Sequence, residues 1–474
     1  MNKFPLFYVA RVQVETKSPL SIATGQSSEF FDTGLVCDAN GLPAIPGTSI
    51  AGVLRHLYFD VYGEEVEQVF GFQKDHVREH DFRGQVSRAN FSWGCMHDRN
   101  GVAIQGLYHD DTELRADTLL GVALELSQTP EFRDRVAIDH QGVSANKFNR
   151  SVLLTGYRFT FEITYWSDND QDKKWSRLLS LLYHPLFRIG GNTRSGLGKL
   201  EIVEIRNRGF DLREGQGRRD FVSFSKNRNL NESGGFSEFQ NSELNTDHIT
   251  TVELELEPRS FWRIGQGDHN TLTTSDGRPA RLLPKLEQVV SWEKGIARPA
   301  GRHLLIPASS VKGAIAYRVA FYANCIEKQW ADNYPNNEMK QSSAKNPQPN
   351  DISPNDMSLY NKSEQCNAVR ELFGFVAEEE KGIKTRSIKR MKDERLESEQ
   401  SDTVLEGNLR VNTPENARKS SGRVGKVLID DGYLSFGEDD LMIIMHNSID
   451  RFTGNARAHM LFSEELVWGK PINP

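Results

Sequence analysis

The chain has 474 residues, 37% of them hydrophobic and 26% charged, with a formal net charge of −7. That length suits two to three domains, and the composition is that of a soluble globular protein. No run approaches the roughly 18 apolar residues of a membrane helix, and four scattered cysteines (Cys37, Cys95, Cys325, Cys366) make no disulfide framework, so a reducing cytoplasm is expected.

The N-terminus, Met1-Asn-Lys-Phe-Pro5, reads as no signal peptide. It enters a segment where Ala10, Val12 and Val14 alternate with Arg11, Gln13 and Glu15, the period of a half-buried strand. A loop with Gly25-Gln26 follows. Next comes a Pro/small-residue turn, Ile45-Pro-Gly-Thr-Ser-Ile-Ala-Gly52, that opens a helix. Ile50, Val53, Leu54, Leu57 and Val61 fall on one face of it, with Thr48 or Ser49 as the expected N-cap. Further landmarks are Val69-Phe-Gly-Phe72, the strand after Gly84-Gln-Val86, Val136-Ala-Ile-Asp-His140, and the glycine-rich Ile189-Gly-Gly-Asn-Thr-Arg-Ser-Gly-Leu-Gly198. Residues 207–247 are rich in Gly, Asn, Ser and Arg, lack periodicity, and read as a linker.

The order then starts again. Val252, Leu254 and Leu256 alternate with Glu253, Glu255 and Glu257, and Gly265-Gln266 follows. The turn returns as Ile306-Pro-Ala-Ser-Ser-Val-Lys-Gly313, with Val311, Ala314, Ile315 and Val319 on a helix face and Ser309 or Ser310 as cap. Leu372-Phe-Gly-Phe375, Gly422-Arg-Val424 and Asn447-Ser-Ile-Asp-Arg451 match the later landmarks. Collinear matches of this kind mark a duplication. Residues 330–365 and 378–421 are polar insertions in the second half; Lys384–Glu399 reads as a solvated charge run. The expected fold is α+β, two ferredoxin-like (RRM-like) βαββαβ modules in tandem, at 1–206 and 248–474.

These motifs resemble the RAMP superfamily of CRISPR-associated proteins. Ile45–Gly52, Phe70-Gly71, Ile138-Asp139 and Ile189–Gly198 carry the likeness in the first half. Ile306–Gly313, Phe373-Gly374 and Ile449-Asp-Arg-Phe-Thr-Gly-Asn-Ala-Arg457 carry it in the second. The duplicated form resembles the fused double backbone subunits of type III (type III-D-like) effector complexes. The second half, as given, has no counterpart to Gly190–Gly198, so its last strand is expected to be incomplete or supplied by a neighbouring subunit.

The resemblance implies a subunit that binds guide CRISPR RNA, lies among other effector subunits, and cuts complementary target RNA with Mg²⁺ or another divalent cation. Such an endoribonuclease needs the 2′-hydroxyl and so selects RNA. The matching acid is Asp32, fourteen residues before Pro46; an acid beside a scissile phosphate can hold a cation or orient the nucleophile. Read alone, Asp32 is a loop or turn acid, with Glu29 and Asp38 nearby, and Asp38-Ala-Asn-Gly is more simply a turn. In the second half the aligned residue is Glu293, one methylene longer, so a weak or dead second site is expected; Asp268 is the other acid there.

Exposed N–H groups and hydroxyls at a helix N-terminus bind phosphate as well as cap the helix. Thr48, Ser49, Ser309 and Ser310, with Arg55 and Lys312, are therefore expected to hold the guide backbone. Gly190, Gly191 and Arg194 are expected to help, unless the glycines only make a tight turn, and so are Arg451 and Arg457. His76, His80, Cys95 and His97 could form a tetrahedral Zn²⁺ site, which the resemblance allows; surface histidines and a buried cysteine are the alternative. The rival functions are a non-catalytic guide-binding scaffold and a metal-independent guide-processing endoribonuclease. The latter generally uses a histidine, and His140 aligns with Arg451 instead of standing in an early helix.

Overall fold

The computed structural model describes the chain except residues 1–3, 26–33, 74–83, 139–143, 171, 231–233, 242–243, 245, 247–248, 266, 268, 270, 327–366, 376–422 and 470–474. Asp32, Glu29, Asp268, His76, His80, Asp139, His140 and both insertions lie outside the described residues. The chain divides into two compact units, residues 1–311 with 429–474, and 312–428. No described helix is long and apolar enough to cross a membrane.

The first half is built on one antiparallel sheet. Its strands are β1 (Leu6–Thr16), β2 (Ala89–Phe91), β3 (Cys95–Met96), β6 (Arg158–Ser167), β7 (Leu200–Asp211) and β8 (Ser237–Glu238). The order is β8-β7-β1-β6-β2, with β3 also on β6. A separate hairpin joins β4 (Arg135–Ile138) to β5 (Ser144–Phe148). Helices α1 (Gly47–Tyr62), α2 (Thr118–Gln128) and α3 (Lys174–Ser180) supply the apolar layer. Val12 and Val14 of β1 share a core with Ile50, Leu54 and Leu57 of α1, as the alternation and helical period require.

The helix cap differs from expectation. Pro46 is the N-cap of α1, and neither Thr48 nor Ser49 caps through its side chain. The turn is fixed by proline's φ and by close backbone approach instead. A Cβ at Gly47 would lie 2.2 Å from the Phe91 carbonyl oxygen, so only glycine lets α1 begin against β2.

The expected linker is also corrected in part. Residues 207–211 finish β7, Gly215–Ser223 form α4, and Ser237–Glu238 form β8. Phe221, Phe224 and Phe236 pack onto Phe7, Val9 and Phe210, covering the sheet face opposite the helices. Arg11, expected on a solvated face, is fully buried there. It pairs with Glu162 at 3.0 Å, donates to the Ser225 carbonyl, and lies over the Phe236 ring. Aromatic residues without a period-2 or 3.6 pattern build this cover, so periodicity did not find it.

In the second half, β9 (Leu286–Glu293) and β10 (Ile296–Ile306) form a hairpin, and β11 (Gly432–Leu434) pairs with β10. Lys294 and Gly295 have φ of 50° and 81°, the positive values that a tight two-residue hairpin turn requires. Helix α5 (Ala308–Ile326) follows the second Pro turn, and β12 (Leu441–Ile449) and β13 (Ala456–Val467) form a further hairpin. Both halves are thus mixtures of helices and antiparallel strands, an α+β fold. The expected strand at 251–257 forms no ladder among the described residues, apart from a bridge at Leu256. Within 312–428, helix α6 (Asn367–Phe373) leads into a short ladder of Gly374–Phe375 with Arg423–Val424.

Candidate nucleic-acid interface

The glycine-rich loop of the first half and the Pro turn of the second meet. Gly196, at φ 96°, sits where a Cβ would be 2.6 Å from the Ala308 Cβ and 2.4 Å from Asp431 Oδ1. Asp431 Oδ1 accepts from the Ala308 backbone N–H at 2.7 Å, so the opening of α5 is capped by a residue from far along the chain. Gly190, at φ 92°, lies against the Ser21 carbonyl, and Gly191 lies against the Arg150 guanidinium. These glycines pack close to the chain's own backbone and charge.

Around this junction is a cavity of about 260 Å³. Arg133, Arg135, Arg150 and Lys285 line it, with Asn192, Ser195, Ser309 and Ser310. Arg133 is neutralised: its Nη2 donates to Glu287 Oε2 at 2.7 Å and to Asp431 Oδ2 at 3.0 Å, and Nε donates to Glu287. Burial opposes its charge, but these two carboxylates hold the guanidinium above its ordinary range. Tyr433 completes the group, donating to Glu287 at 3.0 Å. The Asp431 carboxyl is pushed up by burial despite Arg133.

The other arginines are crowded by like charge. Burial first, then Arg150 and Arg133, lower the Arg135 guanidinium below its ordinary value. Burial and Arg188 do the same to Arg194 on the glycine-rich loop. Among the described residues, Arg150 Nε and the Nε and Nη1 of Arg188 are buried with no hydrogen-bond partner. Arg188 pairs with Asp430 at 2.6 Å, an acid it shares with Lys199 at 2.7 Å. Guanidiniums that repel one another and hold unused donors favour an anion. A larger cavity, about 500 Å³, lies by Glu15, Lys17, Arg158, Glu201 and Trp292. Its charges pair internally, Lys17 with Glu15 and Glu201, and Arg158 with Glu15, so it exerts no comparable pull.

Of the expected grip residues, Ser309 and Ser310 line the cavity, and Gly190, Gly191 and Arg194 belong to the loop that forms its wall. Thr48 and Arg55 are exposed and Ser49 half-buried on α1, and they are not among the cavity's residues. Lys312 lies in α5, within the 312–428 unit. Arg451 and Arg457 are exposed at the β12–β13 hairpin tip, where Arg457 pairs with Asp450 at 3.5 Å. Sequence reasoning missed Arg133, Arg135, Arg150 and Lys285. Phe132-Arg-Asp-Arg135 and Asn149-Arg150 flank the β4–β5 hairpin, and that flanking basic pattern was the available signal.

Among the acids, Glu293 is exposed at the end of β9, 3.9 Å from Arg298. Asp38 is a turn-former, its Oδ1 accepting from Asn40 and Leu42 N–H at 2.8 and 3.0 Å. Of the zinc candidates, His97 is buried with Nε2 2.7 Å from Thr160 Oγ1. Burial and then Arg158 push its imidazole down to about 4. Burial raises the Cys95 thiol, and its Sγ lies 3.3 Å from Arg228. Among the described residues, no three His, Cys, Asp or Glu side chains gather as a metal site.

The model of the RAMP superfamily matches residues 13–201 and 255–472, and the chain belongs to that superfamily. The two matched regions stand in tandem, one in each half. Among solved structures, a chain of the "Cryo-EM structure of the Type III-B Cmr-beta bound to cognate target RNA" is similar at 16% identity and a TM-score of 0.28. The match covers 42% of this chain and 60% of that one, less than two thirds of its length. No curated protein matches the sequence.

Proposed function

We propose that the chain is a backbone subunit of a type III CRISPR effector complex that grips guide RNA and cuts complementary target RNA in its first module. The observation that carries the grip is the cationic cavity between the glycine-rich loop and the second Pro turn. Arg135 and Arg150 bring charge that the surrounding acids do not fully balance, Ser309 and Ser310 bring hydroxyls, and a phosphate supplies the missing acceptor. Contacts of this kind hold a backbone in register without reading bases, which suits a guide of any sequence.

Cleavage is assigned to Asp32 on the family pattern, with a divalent cation supplying charge at the scissile phosphate. A scaffold that only holds the guide differs from this reading solely at Asp32. The grip is tested by measuring guide-RNA affinity across a salt series for the chain and for Arg135→Ala/Arg150→Ala. Losing two phosphate contacts flattens the logarithmic salt slope by about 1.4 on the single-strand scale. An unchanged slope removes the cavity from the interface.

A further inference from the structure

We propose that residues 251–257 are a docking strand that takes up, edge to edge, a β-strand of another polypeptide whose residues alternate apolar and basic. Val252, Leu254 and Leu256 alternate with Glu253, Glu255 and Glu257, yet the three apolar side chains are 71%, 48% and 40% exposed. Beyond the bridge at Leu256, no ladder forms along the segment among the described residues. An alternating pattern with its apolar set in solvent is a strand waiting for a sheet.

The chain itself shows what such a strand takes. β1 holds the same place in the first module, ahead of its own Gly-Gln loop. It is paired antiparallel on one edge by β6 and on the other by β7, and its Val12 and Val14 are fully buried. The pairing there is charge-matched: Glu15 meets Arg158 at 2.9 Å and Arg11 meets Glu162 at 3.0 Å.

The charged positions of the second module's strand are all glutamates, with Thr251 the remaining polar one, so its partner needs Lys or Arg opposite them. A second copy of 251–257 is disfavoured, because it would set carboxylate against carboxylate across the ladder. Seven residues match the usual strand length, and addition of a strand to an open edge is a recurrent recognition mode.

The test uses the full chain and two labelled heptapeptides, one alternating Lys with Val and one alternating Glu with Val. Anisotropy gives affinity, and amide hydrogen exchange locates the contact. The Lys peptide is expected to bind roughly tenfold or more tighter than the Glu peptide, on the usual size of cross-strand charge pairs. It should also slow exchange over 251–257. Glu253→Lys/Glu255→Lys/Glu257→Lys should reverse the preference, and Leu254→Pro should abolish binding by removing a ladder donor. The proposal is overturned if exchange over 251–257 is already slow without peptide, if protection falls elsewhere on this acidic chain, or if the triple variant keeps the original preference.

Discussion

Arg133, at the base of the β4–β5 hairpin, is bonded through Nε and Nη2 to both carboxylate oxygens of Glu287 on β9, 154 residues away. The pair is buried, and Asp431 and Tyr433 close it. It ties the two halves where the cationic cavity opens. Removing one member of a buried ion pair strands the other charge, at about 3–5 kcal/mol. Arg133→Ala and Glu287→Ala should each lower stability by that order in urea unfolding. Arg133→Ala/Glu287→Ala should cost clearly less than the sum, with a coupling above about 1 kcal/mol. Additive losses would mean that the two side chains act separately.

His97 predicts a pH dependence. Its folded value of about 4 lies below the ordinary 6.5 because it is buried beside Arg158. Between those values the unfolded chain binds the proton and the folded chain does not, so stability rises with pH. The contribution is fully present above pH 6.5 and is lost as pH falls toward 4, amounting to about 3 kcal/mol at 1.36 kcal/mol per pH unit. Urea midpoints at pH 7 and pH 4.5 should differ more for the native chain than for His97→Gln. Equal differences would place the acid sensitivity elsewhere.

Much of the fold is legible in the sequence, because it depends on neighbours along the chain. The period-2 run at Ala10–Val14 and the 3.6 period through Ile50, Leu54 and Leu57 placed β1 and α1 and their shared core. The repeated Pro turn singled out Ser309 and Ser310, which line the cavity, and glycine spacing singled out the loop that supplies Asn192, Ser195 and Leu197 to its wall. What stayed hidden depends on distant partners. Arg11 reads as a solvent residue until Glu162 and the Phe236 cover are in place. Arg133 and Glu287 have no common motif. The alternation at 251–257 predicted a strand, but a strand is completed by its partners, and no ladder meets it among the described residues.

The glycine-rich loop gives a matched comparison. Gly196 and Gly106 both have positive φ, 96° and 88°. A Cβ at Gly106 meets nothing within 4 Å, whereas one at Gly196 collides with Asp431 and Ala308. Gly106→Ala therefore pays only for its backbone conformation, roughly 1–2 kcal/mol. Gly196→Ala adds overpacking, about 1–3 kcal/mol more. Thermal unfolding should rank them in that order, and Gly196→Ala alone should also weaken guide-RNA binding, because its displacement opens the cavity wall.

The catalytic assignment is decided by contrasting the two aligned acids. Asp32 and Glu293 stand at the same distance before their Pro turns, at Pro46 and Pro307. Glu293 is exposed on a hairpin end beside Arg298, and its side chain is one methylene longer than that of Asp32, which on the proposed reading exceeds the roughly 1 Å that catalysis tolerates. In assembled complexes with guide and target, Asp32→Ala should abolish one target cut while guide affinity stays unchanged. Glu293→Ala should leave the fragment pattern as it is. Chelation of divalent ions should stop target cutting, where a histidine-based guide-processing enzyme would continue. Loss of a cut in Glu293→Ala, with none in Asp32→Ala, would mean that the second module holds the blade. Unchanged fragments in both variants would make the chain a scaffold.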